Sequence, residues 1–356
     1  MPSVNPSVVL RKKHDIVYED RPVPKLQDPH FVRIAIKKTG ICGSDVHYVQ
    51  HGETGPFVVK SPMVLGHESS GVIVEVGSAV TNVKVGDRVA VEPGYPSRYS
   101  KETMRGLYNL CPHMAFAATP PYDGTLARYF TVPEDFVYPL PDTVSFEDGA
   151  LCEPLAVAVH ANKLGNTTFG SSVYVFGAGP IGLLITATAK AYGATDILVI
   201  DLFDDKLEMA KKLGATAVYN SSNDKGVAPA EIVKKLHQTY FVPQVVLEAT
   251  GAPPCIQVGV AATGNAGTYV QVGMSGNEVN GFPIGAIGVT EAVVKGSFRY
   301  NFGDYEDAVK LLANGKVDGS LLITHRFTFK EAIKAYDFAA TGKAIKIMID
   351  GPTDED

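Results

Sequence analysis

The sequence predicts an α/β protein with two domains, a compact barrel-like β domain and a doubly wound parallel sheet. Three observations predict it. About the first 150 residues are rich in Gly and Pro and hold short β-like runs at 31–36, 71–76 and 87–91 between turn signals. From about Ser171 strand-like and helix-like runs alternate. A glycine-rich turn at 177–182 joins the first strand of that alternation to its first helix.

Turn residues and apolar runs divide the second half into elements. Gly214, which follows Lys211 and Lys212, ends one helix with cations in its last turn. The predicted strands are 172–176, 196–201, 217–219, 243–248 and 267–272, and the predicted helices are 183–192, 204–213 and 229–237. After about Lys295 the alternation weakens, with strand character at 296–300 and 325–329 around a helix at 305–314. We therefore expect the chain to return to the first domain, with domain limits of 1–155 plus 297–356 and of 156–296.

The glycine-rich turn predicts a dinucleotide-binding site. Gly177 allows the tight turn, Gly179 lets the backbone approach a pyrophosphate, and Gly182 lets the helix pack closely on the strand. Pro180 and Ile181 open the helix, whose N-terminal N–H groups and partial positive charge favour phosphate. A strand before the turn and a helix after it make this pattern far more specific than glycine spacing alone.

Asp201 predicts which dinucleotide binds. It closes the next strand, 19 residues after Gly182, where a carboxylate can accept hydrogen bonds from both ribose hydroxyls and would repel a 2′-phosphate. The sequence therefore favours NAD over NADP. Leu202 offers an apolar wall for adenine, and Lys206 is either a ribose contact or a solvated helix residue. Asp201 could instead cap the helix at 204–213.

Composition narrows the class of protein. A formal net charge of −6 with no basic stripe argues against nucleic acid or an anionic membrane as the main partner. Residues 1–10 lack the apolar core of a signal peptide, and no segment approaches about 18 uninterrupted apolar residues. The four cysteines are scattered with no C-x-x-C pair, which argues against a disulfide framework. We therefore expect a cytoplasmic globular protein.

A second cluster of residues predicts a metal site. Cys42, His67, Glu68 and Glu153 offer a thiolate, an imidazole and two carboxylates on or near Gly-flanked turns. Such donors suit zinc, and three protein ligands with an open position make a zinc site catalytic. Taken singly, each residue has an ordinary alternative, as a small buried residue, a core histidine or a surface charge.

At residues 39–47, 62–69, 108–116, 153–155 and 296–300 the chain resembles the zinc-containing medium-chain dehydrogenases. Within them it is similar to the sorbitol and xylitol (polyol) dehydrogenases of yeasts and fungi, over nearly the whole chain. The resemblance implies a GroES-like β-barrel catalytic domain and a Rossmann nucleotide-binding domain. It also implies NAD-dependent oxidation of a polyol to a ketose, such as sorbitol to fructose or xylitol to xylulose. A zinc alcohol dehydrogenase for arabinitol, galactitol or a diol is the alternative.

The resemblance also implies the roles of individual residues at the metal. Cys42, His67 and Glu68 would hold the catalytic zinc, with Glu153 bound to it directly or through a water. Cys152, beside Glu153, competes for that position. Ser44 and His47 would pass the substrate proton to solvent through the nicotinamide ribose, and a zinc-bound water near Glu153 is the alternative to this relay.

Other residues are implied around the cofactor and the substrate. The substrate contacts would be Tyr48, Phe116, Glu153, Arg299 and Tyr300, and further cofactor contacts would be Val272, Phe298 and Arg299. Arg299 could instead form a domain-bridging ion pair, and Phe116 could be core packing.

One departure from the family sets the expected number of metals. Many relatives hold a second, structural zinc on four closely spaced cysteines, whereas the corresponding stretch, 94–111, contains only Cys111. One thiol cannot close a tetrahedral site, so we expect one zinc per chain.

The resemblance further implies a homotetramer or a dimer, with strands near 272–294 at the interface. A zinc-free reductase or an inactive NAD-binding scaffold would lack a zinc ligand, and all the proposed ligands are present.

Overall fold

A computed structural model of the chain describes residues 4–274, 276 and 278–353, which divide into two compact units. The first unit runs to Glu153 and includes Asn301–Ala313 and the described residues from Gly319 onward. The second comprises Pro154–Tyr300 and Asn314–Asp318. The two units are defined by how densely their residues contact one another. The domain limits expected from the sequence stay a prediction. Within the described ranges, no helix is both long and apolar enough to span a membrane.

The first unit is built mainly from strands up to Glu153, as the Gly- and Pro-rich sequence predicts. Its strands up to Glu153 are β1 (Val4–Lys12), β2 (Asp15–Pro22), β3 (Phe31–Gly40), β4 (Glu53–Thr54), β5 (Phe57–Val58), β6 (Met63–Val64), β7 (Glu68–Val76), β8 (Arg88–Val91), β9 (Gly94–Tyr95), β10 (Ala115–Phe116), β11 (Tyr129–Pro133) and β12 (Val137–Pro139). The helices are α1 (Gly43–His51), α2 (Lys101–Met104) and α3 (Phe146–Gly165), the last of which continues into the second unit.

The second unit is the doubly wound sheet that the alternating pattern predicts. Its strands are β13 (Ser172–Phe176), β14 (Asp196–Asp201), β15 (Ala217–Asn220), β16 (Val245–Glu248), β17 (Thr268–Gln271) and β18 (Val293–Gly296). Its helices are α4 (Pro180–Ala191), α5 (Asp204–Lys212), α6 (Pro229–Thr239), α7 (Pro253–Ala262) and α8 (Ile284–Thr290). All six strands are parallel, in the order β15-β14-β13-β16-β17-β18. The order reverses between β13 and β16, where such sheets bind their ligands.

The last part of the chain returns to the first unit. It adds α9 (Asp304–Ala313), β19 (Ile323–Phe327), α10 (Ala332–Ala339) and β20 (Lys346–Asp350). Strand β20 pairs antiparallel with β3 and parallel with β19, which extends a seven-stranded sheet of order β12-β8-β7-β3-β20-β19, with β11 also paired to β3. Buried side chains such as Val32, Ile34 and Ile73 fill one side of this sheet. A second core gathers β1, α1, α10 and β20 around Tyr48 and Tyr336.

The strands predicted at 296–300 and 325–329 both need correction. The strand predicted at 296–300 is wrong, because β18 spans Val293–Gly296 instead. Arg299 has a φ of 57°, a left-handed conformation that a continuous strand excludes. The strand predicted at 325–329 begins two residues earlier, at Ile323, and ends at Phe327 because Thr328 caps a 3₁₀ turn at Phe329–Glu331.

Candidate functional site

Three predicted metal ligands come together in the first unit. One ligand atom each from Cys42, His67 and Glu68 lies within 4.8 Å of the others. His67 is 6% exposed and Glu68 1% exposed, whereas Cys42 is half-buried. Two nearly inaccessible polar side chains thus lie beside a cysteine that is only half-buried.

Local sequence explains why these residues meet. Cys42 is the N-cap of α1, two residues after the end of β3, and Glu68 opens β7, which pairs with β3 at Gly40. A Cβ on Gly40 would lie 2.2 Å from Glu68 Oε2, so the glycine makes room for the carboxylate. Gly66 has a φ of 87°, which turns the chain sharply before His67. The glycines beside both segments therefore position the ligands.

Lys346 is a partner of Glu68 that sequence reasoning missed. Its Nζ donates to both Glu68 carboxylate oxygens at 2.7 Å and to the Ile41 carbonyl at 3.1 Å. Lys346 is only 3% exposed. Burial acts to lower the pKa of Lys346, but Glu68 and Cys42 outweigh burial and keep that pKa above its ordinary value. A buried cation therefore balances the Glu68 carboxylate.

Asp45 is a second residue that sequence reasoning missed. It lies in the first turn of α1, is fully buried, and places Oδ1 3.2 Å from His67 Nδ1, without hydrogen-bond alignment between the two atoms. The hydroxyl of Tyr336 on α10 donates to the other Asp45 oxygen at 3.5 Å. With Nδ1 next to the Asp45 carboxylate, the other ring nitrogen of His67 is left for the cluster. The only sequence signal for it was an acidic residue within the stretch 39–47, which resembles the family.

Glu153 and Cys152 differ in what they can offer a metal. Glu153 is 6% exposed and lies outside the group of ligand atoms within 4.8 Å, although its charge also raises the pKa of Lys346. Cys152 is completely buried, and its thiol donates to the Asp148 carbonyl one turn back in α3. Burial raises the pKa of the Cys152 thiol well above its ordinary value, which disfavours the thiolate that zinc needs.

The two predicted proton-relay residues lie on α1. Ser44 Oγ donates to Cys42 Sγ at 3.2 Å, which places the hydroxyl at the cluster. His47 is exposed, and its Nδ1 lies 2.6 Å from the Glu53 carbonyl oxygen. Because a carbonyl can only accept, Nδ1 carries the hydrogen and Nε2 is the basic nitrogen. His47 can therefore take up a proton at Nε2 and exchange it with water.

Two of the predicted substrate residues border the cluster. The Phe116 ring lies 5.7 Å from the His67 ring and is 6% exposed. Tyr48 is 3% exposed, and its hydroxyl hydrogen-bonds with Thr119 and Thr54. Burial is the main cause that raises the pKa of Tyr48, so the phenol stays protonated. Aromatic faces and hydroxyl groups thus lie beside the metal ligands.

The glycine-rich turn has the geometry that its sequence predicts. Gly177 has a φ of 96°, and a Cβ on Gly182 would lie 1.8 Å from the Gly177 carbonyl oxygen. A Cβ on Gly179 would meet no atom within 4 Å, so the backbone there faces open space. Helix α4 begins with Pro180 and Ile181 directly after this glycine. The turn therefore presents bare backbone and a helix N-terminus on one side.

Asp201 is tied to this turn. Its Oδ2 accepts a hydrogen bond from the Ala178 N–H at 2.6 Å, and its Oδ1 accepts from Leu202 and Phe203 at 2.7 and 3.1 Å. Leu202 and Phe203 are each 55% exposed, and Lys206 Nζ lies 4.9 Å from the centre of the Phe203 ring. The carboxylate is thus held rigidly at the end of β14, beside an exposed apolar surface.

The remaining predicted residues also belong to the second unit. The Val272 N–H donates to the Glu248 carbonyl at 2.8 Å. Phe298 and Arg299 are half-buried, with the guanidinium 4.8 Å from the Phe298 ring centre, and Tyr300 is 2% exposed. Their predicted roles toward cofactor and substrate stay predictions.

The stretch 94–111 holds Cys111 among hydroxyl groups. The Cys111 sulfur hydrogen-bonds with Ser100, Thr103 and the backbone of Ser97 and His113. Burial acts to raise the pKa of this thiol, but these hydrogen bonds outweigh it and lower that pKa. The sulfur is therefore satisfied by hydrogen bonds from neighbours that include two hydroxyls.

Comparison with known proteins agrees with this geometry. Residues 28–142 match a family model described as alcohol dehydrogenase GroES-like domain, and residues 180–314 match one described as zinc-binding dehydrogenase. Over 353 residues and 98% of both chains, the sequence is 56% identical to sorbitol dehydrogenase 1 of Saccharomyces cerevisiae. It is 51% identical to D-xylulose reductase of Scheffersomyces stipitis, over 98% of this chain and 99% of that protein.

Solved structures lead to the same family. The structure of 2R,3R-butanediol dehydrogenase from Bacillus subtilis has a TM-score of 0.86 and 32% identity, over 98% of this chain and 100% of that one. L-idonate 5-dehydrogenase from Escherichia coli has a TM-score of 0.88 and 30% identity, over 98% of each chain. The chain is an oxidoreductase that belongs to the zinc-dependent medium-chain alcohol dehydrogenases, in the branch of the sorbitol dehydrogenases and D-xylulose reductases.

Proposed function

We propose that the protein oxidises a secondary alcohol of a polyol to a ketose, with NAD as the oxidant and one zinc ion per chain. Sorbitol to fructose and xylitol to xylulose are the proposed reactions, since relatives at 56% and 51% identity are named for sorbitol and D-xylulose. The observation that carries the proposal is the convergence of Cys42, His67 and Glu68 ligand atoms within 4.8 Å.

The residues present fit zinc. A thiolate, an imidazole and a carboxylate are the donors that catalytic zinc uses. Zinc bonds of about 2.0–2.3 Å hold ligand atoms about 3.3–3.7 Å apart, so the spacing of up to 4.8 Å closes with shifts of about 1 Å. Asp45 behind His67 supplies the carboxylate partner that usually orients a ligating histidine. Glu153, buried nearby, would complete the shell directly or through a water.

The residues of the glycine-rich turn fit NAD. Gly179 leaves its backbone open, and Asp201 is an anion at the end of β14 that repels a 2′-phosphate. When bound, zinc would acidify the substrate hydroxyl and NAD would accept a hydride from the carbon that bears it. The protein binds and orients the polyol, for which Tyr48 and Phe116 supply aromatic faces beside the metal ligands.

The proton released by the hydroxyl needs a path to water, and Ser44 with His47 supports one. Ser44 lies at the metal cluster through its contact with Cys42, and His47 is exposed with Nε2 as its basic nitrogen. A Ser44→Ala variant should lose most of its polyol oxidation rate near neutral pH while keeping its zinc. A full rate in this variant would remove Ser44 from the path.

The exposed edge of the parallel sheet supports assembly into a dimer or a tetramer. Strand β18 pairs with β17 on one side, and Val293 and Val294 are 47% and 41% exposed. Two copies of β18 related by a two-fold axis can pair antiparallel and cover these valines. The start of β18 at Val293 and Val294 coincides with the end of the interface proposed near 272–294.

The test is NADH formation measured at about 340 nm with sorbitol, xylitol, ribitol, arabinitol, galactitol and ethanol, using NAD or NADP. Each reaction is run before and after chelation and again after zinc is restored. Activity on sorbitol or xylitol that needs NAD and returns with zinc supports the proposal. Activity that survives metal removal, or none on any polyol, contradicts it.

A further inference from the structure

The strand order divides the dinucleotide site into two halves. The glycine-rich turn follows β13, and Asp201 ends β14 on one side of it. Strands β16 and β17 lie on the other side. If the adenosine ribose lies at Asp201 and the pyrophosphate at the turn, the nicotinamide half must extend over the loops that follow β16 and β17. The shape of those two loops then decides how the reacting ring is held.

Glu248 connects these two loops. It is the last residue of β16 and is fully buried. Its Oε1 accepts from the Thr250 N–H at 2.8 Å and from the Thr250 hydroxyl, and its Oε2 accepts from the Gly251 N–H at 2.8 Å and from Gln271 Nε2 at 2.6 Å. All four donors are uncharged, and Gln271 is the last residue of β17. One carboxylate thus gathers donors from two neighbouring strand ends.

The backbone reinforces the same connection. The Glu248 carbonyl oxygen accepts from the N–H groups of Val272 and Gly273, both at 2.8 Å. A Cβ on Gly273 would lie 2.2 Å from the Gly251 nitrogen, so the two loops touch without an intervening side chain. A Cβ on Gly177 would lie 2.8 Å from Thr250 Cγ2, which brings the glycine-rich turn against the first loop. The loops around Thr250 and Val272 therefore form one packed layer on Glu248.

We propose that Glu248 is a positioning residue that shapes the floor for the nicotinamide half of NAD. The inference deepens the proposed function, because it rests on NAD as the ligand of this unit. Glu248 touches neither cofactor nor substrate in this role and acts through Thr250, Gly251, Val272 and Gly273. A carboxylate suits the task because it only accepts, so all four donors can point at it. An amide would turn an NH₂ group toward one pair of these donors.

The test compares binding of whole NAD with binding of ADP-ribose, which lacks nicotinamide. Dissociation constants are measured by calorimetry on the zinc-loaded protein without polyol, for the wild type and Glu248→Gln. We expect the NAD dissociation constant to rise about tenfold and that of ADP-ribose to change less than about twofold. Glu231→Gln, an exposed change of the same chemistry on α6, should leave both constants unchanged.

Two further variants keep the test decisive. Asp201→Asn should weaken NAD and ADP-ribose alike, since it acts on the adenosine half. Thr250→Val keeps the side-chain shape and removes the hydroxyl that donates to Glu248 and accepts from the Ala252 N–H, so it should weaken NAD selectively even if Glu248→Gln folds poorly. Equal losses of NAD and ADP-ribose, or NAD affinity unchanged in Glu248→Gln or in Thr250→Val, would overturn the role of Glu248. A wild type that binds NAD but oxidises no polyol would contradict the proposed function and leave the Glu248 result valid.

Discussion

Among single residues, Lys346 has the most direct influence on the metal ligands, because its Nζ contacts both oxygens of Glu68. Both side chains are nearly inaccessible, so removal of the cation leaves a buried carboxylate uncompensated. We expect metal-free Lys346→Met to lose about 3–5 kcal/mol of stability. Zinc supplies positive charge to the same carboxylate, so it should raise the melting temperature of the variant by more than that of the wild type.

The measurement is thermal unfolding of metal-free and zinc-loaded protein. Lys343→Met changes an exposed lysine three positions earlier and is the matched control. Zinc should raise its melting temperature by as much as it raises that of the wild type. If zinc raises the melting temperature of Lys346→Met by no more than that of the wild type, the pairing of Lys346 with Glu68 does not determine the site.

Glu92 predicts a pH dependence of stability. Burial raises the pKa of Glu92 to about 8 against the lowering effect of hydrogen bonds from Tyr108 and Tyr138, and Asp304 and Asp135 add to the rise. The unfolded value is about 4.3, so the folded state keeps a proton that the unfolded state releases. The contribution of this bound proton to the free energy of unfolding is complete below pH about 4. It is lost as the pH rises to about 8, by at most about 1.4 kcal/mol per pH unit.

The variant Glu92→Gln cannot titrate at this position. Relative to the wild type, it should therefore gain stability between pH 5 and pH 8, as measured by denaturant unfolding at each pH. The exposed Glu53→Gln should show no such trend. A constant stability difference between wild type and Glu92→Gln across this range would show that Glu92 is already ionised in the folded protein.

Among the elements, β18 has the surface that assembly requires. Its valines are exposed at the edge of a six-stranded sheet, and exposed edges of this kind pair with other strands unless they are protected. We expect Val294→Asp to place a charge in the interface and convert the assembly to a smaller species. Sedimentation velocity measures the change, with Val85→Asp as the control, because Val85 is an even more exposed valine (56% against 41% for Val294) and belongs to the first unit. Unchanged sedimentation of Val294→Asp would exclude β18 from the interface.

Across the whole molecule, the proposed metal content is one zinc per chain. The Cys111 sulfur hydrogen-bonds with Ser100 and Thr103 instead of facing further thiols, and a closed structural site needs four strong ligands. Metal analysis of purified protein should therefore give one zinc per chain, and Cys111→Ser should keep it. Cys42→Ser should lose it. Two zinc ions per chain, or loss of zinc in Cys111→Ser, would contradict the proposal.

Local sequence determined much of the second unit. The strands at 172–176 and 196–201 are confirmed, because buried parallel strands read as short apolar runs between breakers. Gly177 and Gly182 are required by a positive φ and by a contact within a single turn, so their spacing alone carries the information. The resemblance to zinc-containing polyol dehydrogenases is likewise confirmed, since it rests on motifs that are continuous in the chain.

Tertiary structure decided the features that depend on residues distant in the sequence. The strand predicted at 296–300 was wrong because the left-handed backbone at Arg299 depends on its surroundings and not on the apolar pattern. The pairing of Lys346 with Glu68 joins residues 278 positions apart, and Glu248 meets Gln271 through sheet pairing. The sequence by itself determined the fold class and the glycine-rich turn, because each depends on neighbours along the chain. Only the folded structure revealed the buried Asp45, Lys346 and Glu248, because the partner of a buried charge is chosen by packing in space.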